Sequence, residues 1–121
     1  PGMAQEFNYK HKKQTGGSGQ YAHIVGSLTP IDPEGEKTFV FEDHVTGGRI
    51  PKQFIPPVEK GFRDSMTKGP LADFPVVGVK IDLNDGSYHD VDSSERAFYI
   101  AACDCFRETM RASQPVLLEP I

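Results

Sequence analysis

Two stretches of this chain combine side chains able to do chemistry. Gly86-Ser87-Tyr88-His89-Asp90 sets a histidine beside a carboxylate, a pairing in which the acid can orient an imidazole as a base. No serine or cysteine stands out as a nucleophile for it, although Ser18 is exposed enough to consider. Recognition suits the segment better than catalysis. Its serine, tyrosine, histidine, aspartate and backbone groups can hydrogen-bond to nucleic acid or stack on it. The second stretch is Lys10-His11-Lys12-Lys13, which leads into Gln14-Thr15-Gly16-Gly17-Ser18-Gly19-Gln20. Lysines on an edge strand can simply block edge pairing. They can also face phosphates and deliver a glycine loop whose N–H groups approach them unobstructed. The residues alone leave both readings open.

Other patterns fail on their own terms. Gly17 to Ala22 fits G-x-G-x-x-[GA], but that dinucleotide fingerprint needs a helix after it, and Tyr21 to Leu28 alternates like a strand. No G-x-x-x-x-G-K-[ST] sequence occurs, so the chain has no P-loop. Asp82, Asp85, Asp90, Asp92 and Glu95 suggest a calcium loop. With Gly86 at its sixth position, however, Ile81 and Leu83 would fall where oxygen ligands belong. No metal site is expected. Cys103 and Cys105 lie on different faces of a helical stretch and are expected to be reduced, small apolar residues.

The elements that hold these loops follow from periodicity. Strands are expected at residues 6–13, with Phe7 and Tyr9 on one side, at Tyr21 to Leu28, and at Thr38 to Val45. Phe54, Val58, Phe62 and Met66, with Ile55 beside them, form the stripe of a first helix. That helix should start at Pro56-Pro57 and stop at Gly69-Pro70. Gly61 inside it points to close packing. Phe74 to Leu83 reads as a strand in the middle of the sheet, and Asn84 to Val91 as a polar loop. Asp92 with Glu95 resembles a capping box for a second helix carrying Phe98, Ala101 or Ala102, Cys105, Phe106 and Met110. The order β-β-β-α-β-α implies an α+β fold, a two-layer sandwich. If the first and fourth strands adjoin, both polar loops fall at one end of the sheet.

Length and charge bound the function. The chain has 121 residues, 37% of them hydrophobic and 25% charged, enough for one domain. No apolar run approaches the roughly 20 residues of a membrane span, no signal peptide is visible, and the two cysteines, read as reduced, lead to the expectation of a cytosol-like setting without membrane contact. The net charge is −4, with +2 on residues 1–30 and −6 on the rest. That balance argues against a generic nucleic-acid binder, so phosphate contact must be local.

Five ordered blocks resemble domain IV of translation elongation factor G. They are Lys12 to Ala22, Gly47-Gly48-Arg49-Ile50-Pro51, Lys68-Gly69-Pro70-Leu71-Ala72, Gly86 to Glu95 and Pro115 to Ile121. The resemblance implies a fold like the second domain of ribosomal protein S5, with a left-handed crossover, over residues 6–114. Residues 1–5 would be a cloning remnant or linker, and 115–121 the start of the connection to a following domain. It also implies an excised, monomeric piece of a cytoplasmic GTPase, with GTP and Mg bound elsewhere in the parent, no cofactor here and no catalytic residue here.

The implied work is mechanical: the tip enters the decoding site of the small ribosomal subunit and contacts the tRNA anticodon arm and mRNA during translocation. By match, the tip loops would be Gln14, Thr15, Gly16, Gly17, Ser18, Gly19 and Gln20, and Ser87, Tyr88, His89, Asp90 and Val91. Lys10, Lys12 and Lys13 would support them. Ser18 stands where some members carry arginine. A paralogue for recycling, working with the ribosome recycling factor, or for ribosome protection would use the same domain. A stand-alone enzyme using His89 and Asp90 is the rival of another class, and a pocket at that loop would distinguish it.

Overall fold

Residues 4–12, 20–31, 39–68 and 78–113 are described by the structure, a computed structural model. Strand β1 (Gln5–Lys12) turns Phe7 inward and leaves Asn8, Lys10 and Lys12 exposed. Along β2 (Tyr21–Pro30) the alternation is strict, with Ala22, Ile24, Gly26 and Leu28 buried. Strand β3 spans Phe39–Asp43 and β4 spans Val79–Ser87. They form one sheet in the order β1-β2-β4-β3, antiparallel except for the parallel pair β3/β4. Period-two burial on one face calls for one covering layer. Helices α1 (Ile55–Lys68) and α2 (Glu95–Ser113) supply it, after a short 3-10 turn at Lys52–Phe54. This is the expected two-layer α+β arrangement in the expected order.

The core is the meeting of three apolar stripes. Phe54, Val58 and Phe62 come from the first helix and its lead-in, and Phe98, Ala101, Ala102, Cys105, Phe106 and Met110 from the second. They cover Phe7, Ile24, Leu28, Val79, Ile81 and Leu83 of the sheet. Phe54 stacks on Phe98 at 4.8 Å, and Phe62 meets Phe106 edge-on at 6.4 Å. The close packing expected at Gly61 is present. A Cβ there would sit 2.7 Å from Ala102 Cβ and 2.7 Å from the Tyr99 carbonyl. Cys105 lies in the core, and burial pushes its thiol up to about 12. Cys103 instead lies against α1, its Sγ 3.6 Å from the Gly61 carbonyl, and both cysteines are free. Among the described residues no helix is long and apolar enough to cross a membrane.

Three expectations need correction. The fourth strand reaches further toward the C-terminus than expected: it runs to Ser87, and Phe74 to Val77 of the expected strand lie outside the described residues. Its second half reads as loop because Asp85 and Ser87 are polar, yet they occupy the face of the sheet that no helix covers. Asn84 is the extra residue of a bulge, since Val25 pairs with Asp85 and Gly26 with Leu83. The helix cap is Ser94, not Asp92: Ser94 Oγ accepts the Ala97 N–H at 3.0 Å. Strands β1 and β4 do not adjoin, because β2 lies between them.

Candidate functional site

Strand direction nevertheless brings the ends of β1 and β4 to one end of the sheet. β1 ends at Lys12, paired with Tyr21, and β4 ends at Ser87, paired with His23. The connections that follow Lys12 and Ser87 therefore leave the same end of the sheet. In the first of them, Lys13, Gln14, Thr15, Gly16, Gly17, Ser18 and Gly19 lie outside the described residues, and Gln20 is half-buried. Of the basic strand, Lys12 is exposed and Lys10 Nζ stands 5.9 Å from the Tyr21 ring centroid, within cation–π range.

Tyr21 ties β2 to the second loop. Its N–H donates to the Asp92 carbonyl at 2.8 Å, and its carbonyl accepts the Ser93 hydroxyl at 2.8 Å. Its own hydroxyl lies 2.9 Å from Ser87 Oγ. Inside the loop the Ser93 N–H donates to the His89 carbonyl at 3.1 Å, and the His89 N–H donates to Ser93 Oγ at 2.9 Å. The His89 ring faces the chain as well: Nδ1 accepts the Val91 and Asp92 N–H groups, each at 3.1 Å. The closed turn thus holds Tyr88, His89, Asp90 and Val91 out in solvent, with Val91 65% exposed and Tyr88 42%. An exposed aromatic and an exposed valine at a loop apex are suited to packing on a partner such as an unstacked base.

Ser93 is the closure of this turn, so its removal has a defined result. Ser93→Ala deletes two hydrogen bonds, each worth about 1 kcal/mol net. Hydrogen exchange at the His89 amide is expected to quicken by about tenfold or more, measured by NMR on this chain. Unchanged protection would mean that the turn is held elsewhere.

The base of the loop rests on a polar network over the uncovered sheet face. His23 Nε2 donates to Asn8 Oδ1 at 2.7 Å, and His23 Nδ1 lies 2.8 Å from Ser87 Oγ. An amide oxygen only accepts, so the neutral ring carries its proton on Nε2 and Ser87 donates to Nδ1. Burial first, and then Lys10, lowers the His23 pKa below the ordinary 6.5. The unfolded chain therefore binds the extra proton first as pH falls. Stability from this group is complete above the ordinary value and declines as pH drops from there through the folded value. Urea midpoints are expected to fall on acidification across that window. In His23→Gln their slope against pH should flatten, and an equal slope would exclude His23 as the source.

Gly47-Gly48-Arg49-Ile50-Pro51 braces the same base. Arg49 Nε donates to Asp85 Oδ1, and Ile50 closes over Gly86, where an added Cβ would meet the His23 carbonyl at 2.3 Å and Ile50 Cδ1 at 2.5 Å. The Gly86 backbone N–H, helped by Arg49, holds the Asp85 carboxyl below its usual range.

Among the described residues His89 and Asp90 do not form a catalytic pair. His89 is not oriented by Asp90: the carboxylate near its ring is Asp92, with Oδ2 at 3.6 Å from Nδ1. A cleft of about 430 Å³ is lined by Pro56, Pro57, Lys60, Glu95, Arg96 and Tyr99. Another, of about 210 Å³, lies between β1 and the end of α2. His89 and Asp90 line neither. Glu42, His44 and Asp82 bring three potential metal-binding atoms within 4.8 Å of one another on β3 and β4. Lys80 Nζ stands 3.8 Å from Glu42 and 3.9 Å from Asp82, so this cluster has a cation of its own.

Sequence reasoning singled out Ser87 to Val91 but not Tyr21, nor the hydrogen bonds by which Ser93 closes the turn. The available signal was the pair Ser93-Ser94 ahead of a helix. One serine caps α2, which leaves the other for the loop.

The family model described as elongation factor G, domain IV, matches residues 2–114. Elongation factor G of Rhodopirellula baltica is 69% identical over the whole chain, and elongation factor G 2 of Bdellovibrio bacteriovorus is 56% identical over 95% of it. The chain spans only 17% and 16% of those two relatives. A crystal structure of a protein from Thermus thermophilus superimposes with a TM-score of 0.78 and 41% identity, covering 93% of this chain and 16% of that one.

Proposed function

This chain belongs to the elongation factor G domain IV family, and on that premise we propose that it is the part of a translocase that reaches the decoding site. Its two tip loops enter the small ribosomal subunit and contact the tRNA anticodon arm and the paired mRNA while both advance. The observation that carries this reading is the turn at residues 88–93. It projects Tyr88, His89, Asp90 and Val91 from the end of the sheet and is hydrogen-bonded through Tyr21 to the strand that the glycine loop enters. The domain supplies contact rather than catalysis. GTP hydrolysis, with GTP and Mg, belongs to another domain of the parent protein, and the work is done in the cytoplasm.

The charge suits a contact that must be released. Affinity for RNA, and its salt dependence, grow with every phosphate neutralised. A net charge of −4 with a few lysines beside the tip keeps that number small.

The test is a photo-crosslinking residue at Tyr88 in a full-length elongation factor G carrying this domain, bound to a pre-translocation ribosome. Crosslinks to tRNA, mRNA or decoding-site RNA are expected. Crosslinks confined to other ribosomal regions would overturn the reading.

A further inference from the structure

We infer that His89 acts as a fixed hydrogen-bond donor, presenting Nε2–H to an acceptor oxygen of RNA, either a ribose hydroxyl or a phosphate. This rests on the proposed contact with tRNA and mRNA and specifies its chemistry. The main-chain amides of Val91 and Asp92 both point at Nδ1 from 3.1 Å. An amide cannot give up its hydrogen, so Nδ1 must offer a lone pair. The single hydrogen of the neutral ring is then on Nε2. A proton on Nδ1 would find Asp92 Oδ2 at 3.6 Å, but it would face two amide hydrogens that lie nearer. Among the described residues no acceptor meets Nε2, and the side chain is 56% exposed.

His89 therefore works in two directions. Inward, Nδ1 accepts from the residues two and three positions ahead, as an Asn or Asp oxygen does in an Asx turn. Outward, the ring offers a donor and no acceptor. A ribose oxygen or a phosphate oxygen satisfies it, whereas an amino or ammonium group does not. The turn selects the tautomer, and the tautomer selects the partner atom.

Two substitutions separate the two directions. His89→Asn keeps an acceptor for the turn but is too short to present an outward donor. His89→Gln can extend an amide N–H outward but no longer caps the turn.

The first measurement needs no ribosome. Long-range 15N NMR of this chain, at a pH where the ring is neutral, is expected to show a pyridine-type Nδ1 and a pyrrole-type Nε2. The opposite pattern, or averaged shifts, would overturn the inference.

The second uses a full-length elongation factor G carrying this domain. His89→Asn is expected to keep hydrogen-exchange protection at Val91 and Asp92, yet slow single-round mRNA movement about tenfold. His89→Gln should lose that protection but slow movement by about threefold or less. An Asn variant that moves mRNA at the parental rate would overturn the donor role. Parental rates for the Asn, Gln and Ala variants together would overturn the proposed ribosomal contact itself, even with the NMR result intact.

Single 2′-deoxynucleotides, and methylphosphonate linkages of each configuration so that either non-bridging oxygen is removed in turn, are placed in codon and anticodon to identify the acceptor. The His89-dependent part of the rate should vanish with one of the two. Its persistence with both would overturn an acceptor on ribose or phosphate.

Discussion

Truncating Phe62 to alanine is expected to destabilise the domain by about 3–5 kcal/mol. Phe62 is fully buried on α1. Its ring lies 5.7 Å from Phe7 on β1 and 6.4 Å from Phe106 on α2, so one side chain joins the edge of the sheet to both helices. Neighbours cannot easily collapse into the vacated space, because α1 and α2 are already packed so closely that a Cβ at Gly61 would lie 2.7 Å from Ala102 Cβ. Domains of this size have a total stability of about 5–15 kcal/mol, so much of it would go. Urea unfolding of the variant measures the loss. A change below about 1 kcal/mol would contradict the packing of α1 described above.

The second large effect is functional. His89→Ala removes the outward donor and the acceptor for two amides in one step, from a side chain that is mostly exposed and contributes nothing to the core. In a full-length elongation factor G carrying this domain, single-round mRNA movement is expected to slow by about tenfold or more, since one lost hydrogen bond in a transition state is worth about 1–2 kcal/mol. GTP turnover and the unfolding midpoint should stay near parental values. A parental rate of movement would remove His89 from the tip's working surface.

The apolar framework was legible in the sequence because helix periodicity is local. Val58 and Phe62, or Phe98, Cys105 and Phe106, identify their own buried face without knowledge of what covers it. The end of β4 was not legible, for a physical reason. On a sheet covered on one side only, Asp85 and Ser87 can belong to a strand and still look like a loop. The parallel pairing of β3 with β4 was likewise hidden, since it is decided by the path of α1 rather than by either strand's composition.

The site divides in the same way. Tyr88 and His89 are conspicuous by side-chain type, so they could be selected by eye. Tyr21 contributes chiefly its main-chain N–H and carbonyl, which any residue possesses, and it lies 72 positions from Ser93. The adjacency of His89 and Asp90 in sequence suggested a dyad. Instead the fold turns the ring toward the Val91 and Asp92 amides, and only three-dimensional structure shows that.

The measurement that tests the central claim most directly is a domain exchange. This chain replaces domain IV of a working elongation factor G, and mRNA movement is followed in a single round on a pre-translocation ribosome. Movement within about threefold of the parent's rate is the result predicted for a tip that contacts tRNA and mRNA during translocation. GTP turnover at the parental rate with no mRNA movement would contradict the claim, because the factor would then engage the ribosome while this tip failed at the step assigned to it.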